Sequence, residues 1–132
     1  MATIKRFEDL ECWQLARELD KEVFPITKIG DFARDFKLRD QMLGSSGSVM
    51  DNIAEGFERG GNKEFSQFLS IAKASAGELK SQLYRGMDRG YISKDEFENL
   101  FNKAEIVAKK ISGLMNYLSD SAMRGSKYKN RI

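Results

Sequence analysis

Apolar residues recur at three- and four-residue steps along most of the chain, a spacing typical of amphipathic α-helices. In the first such segment the recurring residues are Leu10, Trp13, Ala16, Leu19 and Val23. Pro25, the only proline, and Gly30 follow that segment. They predict its end, because proline lacks an amide hydrogen and clashes with the preceding helical turn. Strand signals are weak, since strict alternation of polar and apolar residues never lasts.

A glycine- and serine-rich stretch, Gly44–Ser48, at first suggests a flexible loop in mid-chain. The helical spacing nevertheless continues through it over residues 40–59, with the line Met42, Ser46, Val49, Ile53 and Phe57. We therefore predict a helix. Two interior glycines cost about 1 kcal/mol each relative to alanine, so we expect a neighbouring helix or subunit to come close over Gly44, Ser45, Gly47 and Ser48. A phosphate-binding loop is excluded, because its lysine and its preceding strand are missing.

Two further helices follow, and both carry termination or capping signals. Asn62 is expected to cap the third helix and Gly90 to end it. Ser93 and Glu96 have the spacing of a capping box at the start of the fourth, which is expected to end near Met123. Four helices with short connections predict an all-α, antiparallel up-down-up-down four-helix bundle. We assign residues 1–123 to this single domain and residues 124–132 to a basic C-terminal tail.

Length and composition fit that assignment. The chain has 132 residues, of which 41% are hydrophobic and 32% charged, as in an ordinary globular domain. The formal net charge is +2, divided as −3 over residues 1–66 and +5 over residues 67–132. No signal peptide or membrane-spanning apolar run is recognisable, and the single cysteine, Cys12, suits a reducing compartment. We expect a cytoplasmic protein.

The residue types exclude several catalytic classes. The chain has no histidine, which excludes the usual serine and cysteine hydrolase triads and the di-iron sites of helical bundles. One cysteine excludes zinc fingers and iron–sulfur clusters. The pairs Glu8/Glu11 and Glu55/Glu58 could bind magnesium, as in all-helical nucleotide pyrophosphohydrolases, but helix-dipole and ion-pair roles explain them more simply. We expect no enzyme, no cofactor and no metal.

Basic residues are the remaining candidates for function. Lysines recur one heptad apart on the third and fourth helices, and the tail carries four cations, no acid, and Tyr128 as a potential stacking ring. Such residues could neutralise nucleic-acid phosphates, although a solvated face and a frayed end are an open alternative. The candidate contacts are Arg59, Lys63, Lys73, Lys80, Lys103, Lys109, Lys110, Arg124, Lys127, Lys129 and Arg131.

Several stretches together resemble one known family. They are Phe7–Ala16, Gln41, Ser48–Arg59 with its Asn-Ile-Ala-Glu-Gly core, Asn62–Ala72 and Gly90–Ile92. Over about residues 5–120 the chain is similar to the bacterial four-helix bundle proteins encoded in intervening sequences of large-subunit ribosomal RNA genes. It departs from them at Met42, Leu43 and Gly44, where family members often carry arginines.

The resemblance implies a homopentameric ring of four-helix bundles. It also implies nucleic-acid binding, as in the related accessory proteins of diversity-generating retroelements. We therefore expect a non-enzymatic oligomer that binds RNA or DNA. The alternatives are a protein–protein scaffold and, remotely, a magnesium-dependent nucleotide pyrophosphohydrolase. The residues that match the family motif are Trp13, Gln41, Asn52, Glu55 and Gly56. We expect Asn52 to hydrogen-bond across the bundle and Trp13 to lie in the core or in an interface. Glu55 is expected to pair with Arg59 or with a residue of another helix or subunit.

Overall fold

The computed structural model describes residues 3–128, with side chains through residue 120, and it contains four α-helices. They are α1 (Glu11–Ile26), α2 (Phe36–Glu58), α3 (Asn62–Asp88) and α4 (Lys94–Tyr128). Short 3₁₀ turns cover Phe7–Asp9 and Gly30–Arg34. Each helix packs against its sequence neighbours, and α4 closes the bundle against α1. The described part of the chain contains no strand. The predicted four-helix bundle is confirmed.

The core is formed by the apolar stripes that define the helices. Each helix contributes large side chains with less than 2% exposure; they include Leu19, Leu38, Ile53, Leu69, Leu79 and Ile111. Burying one such side chain contributes about 1.5–3 kcal/mol. Packing of these stripes, rather than helix propensity alone, therefore holds the four helices together.

At the two connections on either side of α3, the helix ends follow the sequence signals with one exception. Tyr91 N–H donates to the carbonyl of Gly86 at 2.9 Å and Gly90 N–H to that of Met87 at 3.0 Å, with Gly90 at φ +74°. This Schellman turn ends α3 as expected. The Ser93/Glu96 capping box also forms, with reciprocal bonds of 2.8 and 3.0 Å. The exception is Asn62, which is the first residue of α3 and not its cap; Gly61 precedes it, with no capping side-chain bond.

Helix α4 runs to Tyr128, beyond its expected end near Met123. The expectation took Gly125 as a stop signal. A glycine ends a helix only where the chain turns with positive φ, and inside a helix it costs just about 1 kcal/mol. The first part of the proposed basic tail is therefore helical in its backbone, and residues 129–132 lie outside the described range.

Gly44–Ser48 lies inside α2, as the spacing predicted. The reason expected for its glycines is wrong within this chain: a β-carbon built at Gly44 or Gly47 would lie within 4 Å of no described atom beyond the local backbone of α2. The close approach is instead at Gly56, where a β-carbon would lie 2.6 Å from Cβ of Phe68 in α3. The sequence shows which residues are small, but the rotation of the packed helix decides which of these small residues faces a neighbouring helix.

The serines of this stretch join α2 to both neighbouring helices. Ser46 Oγ donates to Oδ1 of Asp20 in α1 at 2.8 Å. The hydroxyls of Ser48 and Ser75, in α3, lie 2.8 Å apart and share a hydrogen bond. Because buried hydroxyls need hydrogen-bond partners, these serines link α2 to α1 and α3 by hydrogen bonds between their short side chains and the facing residues.

Candidate nucleic-acid interface

Three of the candidate nucleic-acid contacts lie along the edge where α3 packs on α4. Lys80 Nζ lies 3.5 Å from Oε2 of Glu105 in α4, which places both at this edge. Lys73 precedes Lys80 by two helical turns and Lys109 follows Glu105 by one, so both lie on the same line of their helix. We call this line, with Lys73, Lys80 and Lys109, the α3–α4 edge.

An aromatic cluster continues the α3–α4 edge beyond Lys80. Tyr84, one turn further along α3, is 49% exposed. Its ring centroid lies 4.7 Å from that of Phe97 and 5.7 Å from that of Phe101. Lys80 Nζ lies 5.4 Å from the centre of the Phe101 ring. Proteins that bind single-stranded nucleic acids combine exposed rings, on which bases stack, with cations that neutralise the phosphates.

Acidic residues limit the positive part of this edge to one end. Glu105 pairs with Lys80, and Glu98 lies one heptad before Glu105 on the same line of α4. Lys73 and Lys109 are exposed toward the other end. The α3–α4 edge therefore runs from an aromatic, partly acidic end to a cationic one.

Lys103 and Lys110 do not join this surface, because they lie at the opposite edge of α4, against α1. Lys110 Nζ lies 3.2 Å from Oε1 of Glu11. Lys103 pairs closely with Glu22, which also accepts from Asn99 at 3.0 Å. The hydrogen bond from Lys103 is the main cause that lowers the pKa of Glu22. These two lysines tie helices together and have little charge to offer a ligand.

The remaining candidate cations are spread over other parts of the chain. Arg59, after α2, pairs with Glu55 at 2.9 Å and lies 4.9 Å from the centre of the Phe68 ring. Lys63 is exposed in the first turn of α3. For Arg124 and Lys127, which belong to α4, and for Tyr128 the structure describes only the backbone. Lys129 and Arg131 fall outside the described residues.

The motif residues of the resemblance have structural contacts. Trp13 is partly buried against the core, with its ring 5.1 Å from that of Phe7. Gln41 Oε1 accepts from Arg85 Nη1 at 3.2 Å. The expected pairing of Glu55 with Arg59 is confirmed.

Asn52 differs from its expectation. It donates to the carbonyl and the hydroxyl of Ser48, both at 2.9 Å, within its own helix. A short amide side chain reaches the turn four residues earlier more readily than a neighbouring helix. The link across the bundle is made by Ser48 and Ser75 instead.

Three of the four acidic residues considered for magnesium are engaged with cations. Glu8 accepts from Arg6 at 2.8 Å, and its own backbone amide is the main cause that lowers its pKa. Glu11 pairs with Lys110 and Glu55 with Arg59. Among the described residues, no three Asp, Glu or Cys side chains converge as they would to hold a metal ion.

Sequence reasoning overlooked Tyr84 as a candidate contact. The signal was present, since Tyr84 follows Lys80 by four residues and so shares its helix face.

The described helices include none that is long and apolar enough to cross a membrane.

Comparison with known proteins gives one family. The family model described as 23S rRNA-intervening sequence protein matches residues 8–113. A crystal structure from Bacteroides thetaiotaomicron, of a protein with unknown function from the S23 ribosomal protein family, has a TM-score of 0.72 and 20% sequence identity. The match covers 79% of this chain and 97% of that one, and at this identity it shows the fold alone. None of the curated proteins compared with the chain matches it.

Proposed function

Because the chain belongs to the 23S rRNA-intervening sequence protein family, we propose that it is a non-enzymatic, homo-oligomeric protein that binds RNA or DNA. The observation that carries this proposal is the α3–α4 edge. Among the described residues, Lys73 and Lys109 supply free charge there, Lys80 shares its charge with Glu105, and Tyr84 supplies a half-exposed ring one turn beyond Lys80. We also place the protein in the cytoplasm, since its one cysteine suits a reducing compartment.

One chain offers too few cations for tight binding. Each neutralised phosphate contributes through release of a counterion, so affinity grows with the number of lysines engaged. A ring of identical chains repeats the α3–α4 edge around its axis and multiplies the contacts without new chemistry. Oligomerisation thus compensates for the small net charge of +2 per chain.

We expect that oligomer to be a pentamer, as the family resemblance implies. Large apolar side chains near the α1–α2 connection support self-association: Phe24, Ile29 and Phe36 are 49%, 67% and 62% exposed. Light scattering coupled to size-exclusion chromatography measures the mass directly. A monomer at micromolar concentration would contradict the ring.

Nucleic-acid binding is tested by fluorescence anisotropy with labelled single-stranded RNA and DNA of one sequence over a series of salt concentrations. We expect affinity to fall steeply with salt. Replacing Lys73, Lys80 and Lys109 with glutamine should weaken binding. It should also reduce the slope of log affinity against log salt by the equivalent of about two phosphate contacts per engaged chain, from Lys73 and Lys109, because Lys80 is already paired with Glu105.

The matched control replaces Lys5, Lys28 and Lys37, which are exposed, lie outside α3 and α4, and change the net charge by the same amount. It should retain binding. Equal losses in both triple variants would show attraction by overall charge only and overturn the proposed surface. Absence of salt-sensitive binding to either nucleic acid would overturn the function and favour a protein–protein scaffold.

A further inference from the structure

A polar groove lies between α2 and α3, on the side of α3 away from the α3–α4 edge. Its volume is about 540 Å³. Gln41, Ser45 and Ser48 line it from α2, and Glu78, Gln82 and Arg85 from α3. We call it the α2–α3 groove. Gln82 follows Lys80 by two residues, which rotates it about 200° around a helix with 3.6 residues per turn. The groove and the proposed nucleic-acid surface are therefore separate.

The α2–α3 groove contains a polar group that the chain leaves unpaired. Gln82 is only 8% exposed, and its Oε1 has no hydrogen-bond partner among the described residues. Buried amide oxygens in native proteins almost always accept a hydrogen bond, so each exception requires an explanation. A group that donates an N–H from outside the chain would supply what this amide lacks.

The two ends of the groove carry opposite charges. Arg85 donates to Gln41 at 3.2 Å, and neither Arg85 nor Glu78 forms an ion pair within the described part of the chain. The two are seven residues apart, which on a helix is about 10 Å. At the α1–α4 contact, by comparison, Glu22 is paired with Lys103 and Glu11 with Lys110. An unpaired acid and an unpaired cation at fixed separation match a ligand that has both charges.

We propose that the α2–α3 groove binds the carboxyl-terminal unit of a basic amino acid, lysine or arginine, either free or at the end of a peptide. Arg85 takes the carboxylate, for which its guanidinium has the matching fork. Gln82 Oε1 accepts the N–H on the α-carbon. Glu78 pairs with the side-chain cation, which a four-carbon stem carries to the far end. None of the lining residues is aromatic, which argues against a stacked base.

Titration of the ¹⁵N-labelled full chain with L-lysine and L-arginine tests the proposal by NMR. We expect saturable shifts at the side-chain amide of Gln82 and the backbone amides of Ser45 and Arg85. L-norleucine lacks the side-chain cation and cadaverine lacks the carboxylate. Each should bind about tenfold more weakly or worse, because each loses one charge-assisted contact. A peptide ending in lysine, compared with the same peptide amidated, distinguishes terminal from free ligand.

Replacement of Gln82 with methionine separates a ligand-binding role from a structural one. Methionine is unbranched and similar in length, so Gln82→Met should raise the melting temperature while it weakens lysine binding by about tenfold or more. Gln67→Met, at an exposed position of the same helix, should change neither. Gln82→Met should leave RNA affinity unchanged. A failure of lysine binding can therefore be distinguished from a failure of nucleic-acid binding.

Two results would overturn the inference. One is the absence of saturable shifts at Gln82 and its neighbours with either amino acid. The other is equal binding of lysine, norleucine and cadaverine, which would show that the two charged ends of the groove do not select the ligand. A melting temperature lowered by Gln82→Met, with binding unchanged, would make Gln82 purely structural.

Discussion

The phenol of Tyr91 donates to Oδ2 of Asp35 at 2.8 Å, although the two residues are 56 positions apart. Arg89 donates to the same oxygen at 2.8 Å, and Oδ1 accepts the backbone amide of Leu38 at 3.2 Å. One carboxylate thus caps the start of α2 and attaches it to the connection between α3 and α4. The Tyr91 ring also stacks on that of Phe32, at 4.9 Å.

This arrangement predicts a loss of stability in acid. The hydrogen bonds from Tyr91, Leu38 and Arg89, in that order, hold the pKa of Asp35 below its ordinary value of 3.8. Since the folded pKa is lower than the unfolded one, the contribution is present above the ordinary value and lost as pH falls through the lowered one. Asp35→Asn should destabilise the chain at neutral pH, and the difference from wild type should shrink at about pH 3. Urea unfolding at both pH values measures it.

Asp51→Asn is the matched control, because Asp51 is exposed in α2, the helix that Asp35 caps. It should leave both the stability and its pH dependence nearly unchanged. A deficit for Asp35→Asn of the same size at both pH values would show that the carboxylate charge is not what matters there.

The glycines of α2 should respond oppositely to alanine. At Gly56 the new β-carbon would lie 2.6 Å from Cβ of Phe68, a backbone-anchored atom, so Gly56→Ala should lower the free energy of unfolding by about 1–3 kcal/mol. At Gly44 and Gly47 nothing described lies within 4 Å, and alanine should stabilise the helix by about 0.5–1 kcal/mol. Chemical denaturation of the three variants gives the comparison.

A bulkier substitution, Gly47→Leu, tests whether another copy of the chain covers Gly44 and Gly47. If a neighbouring helix or subunit packs closely there, as the sequence led us to expect, Gly47→Leu should disrupt packing or assembly. Within the single chain Gly47→Leu has room and should be tolerated. If the mass measured by light scattering falls for Gly47→Leu while the helical content is kept, a second subunit and not this chain provides the contact.

Cys12 should be nearly inert in the folded protein. It is 3% exposed, and burial is the main cause that raises the pKa of its thiol to about 11. The thiolate is the reactive form, so a thiol reagent at neutral pH should label Cys12 only when the chain opens. Labelling at the rate of an unfolded control peptide would show that α1 opens readily in the native state.

The bundle itself could be predicted from the sequence because its signals are local. Helical spacing, the Gly90 turn and the Ser93/Glu96 box each act within a few residues, and all three are confirmed. Asn62 was misplaced by one position because Asn and Gly both serve as caps and the backbone angle decides between them. Helix boundaries depend on such angles, which composition does not specify.

The candidate sites depend on contacts between helices and so could be predicted only in part. Spacing placed Lys73 and Lys80 on one face but could not show that Lys103 and Lys110 face α1 and its glutamates. Likewise, nothing near Gln82 in the sequence indicates that its amide is buried without a partner. Relative rotation and register of packed helices set these pairings, and they are properties of the whole core.

Tyr84 should distinguish base stacking from simple attraction by charge. Its ring is 49% exposed at the α3–α4 edge, and one stacked base contributes about 1–3 kcal/mol. Tyr84→Leu should therefore weaken binding of single-stranded RNA by about fivefold or more without changing the salt dependence, whereas Tyr84→Phe should bind almost normally. Tyr117→Leu, at a 38% exposed tyrosine of α4, is the control. Anisotropy titrations decide: equal affinities for Tyr84→Leu and wild type would remove the stacking contact and leave the lysines alone to explain binding.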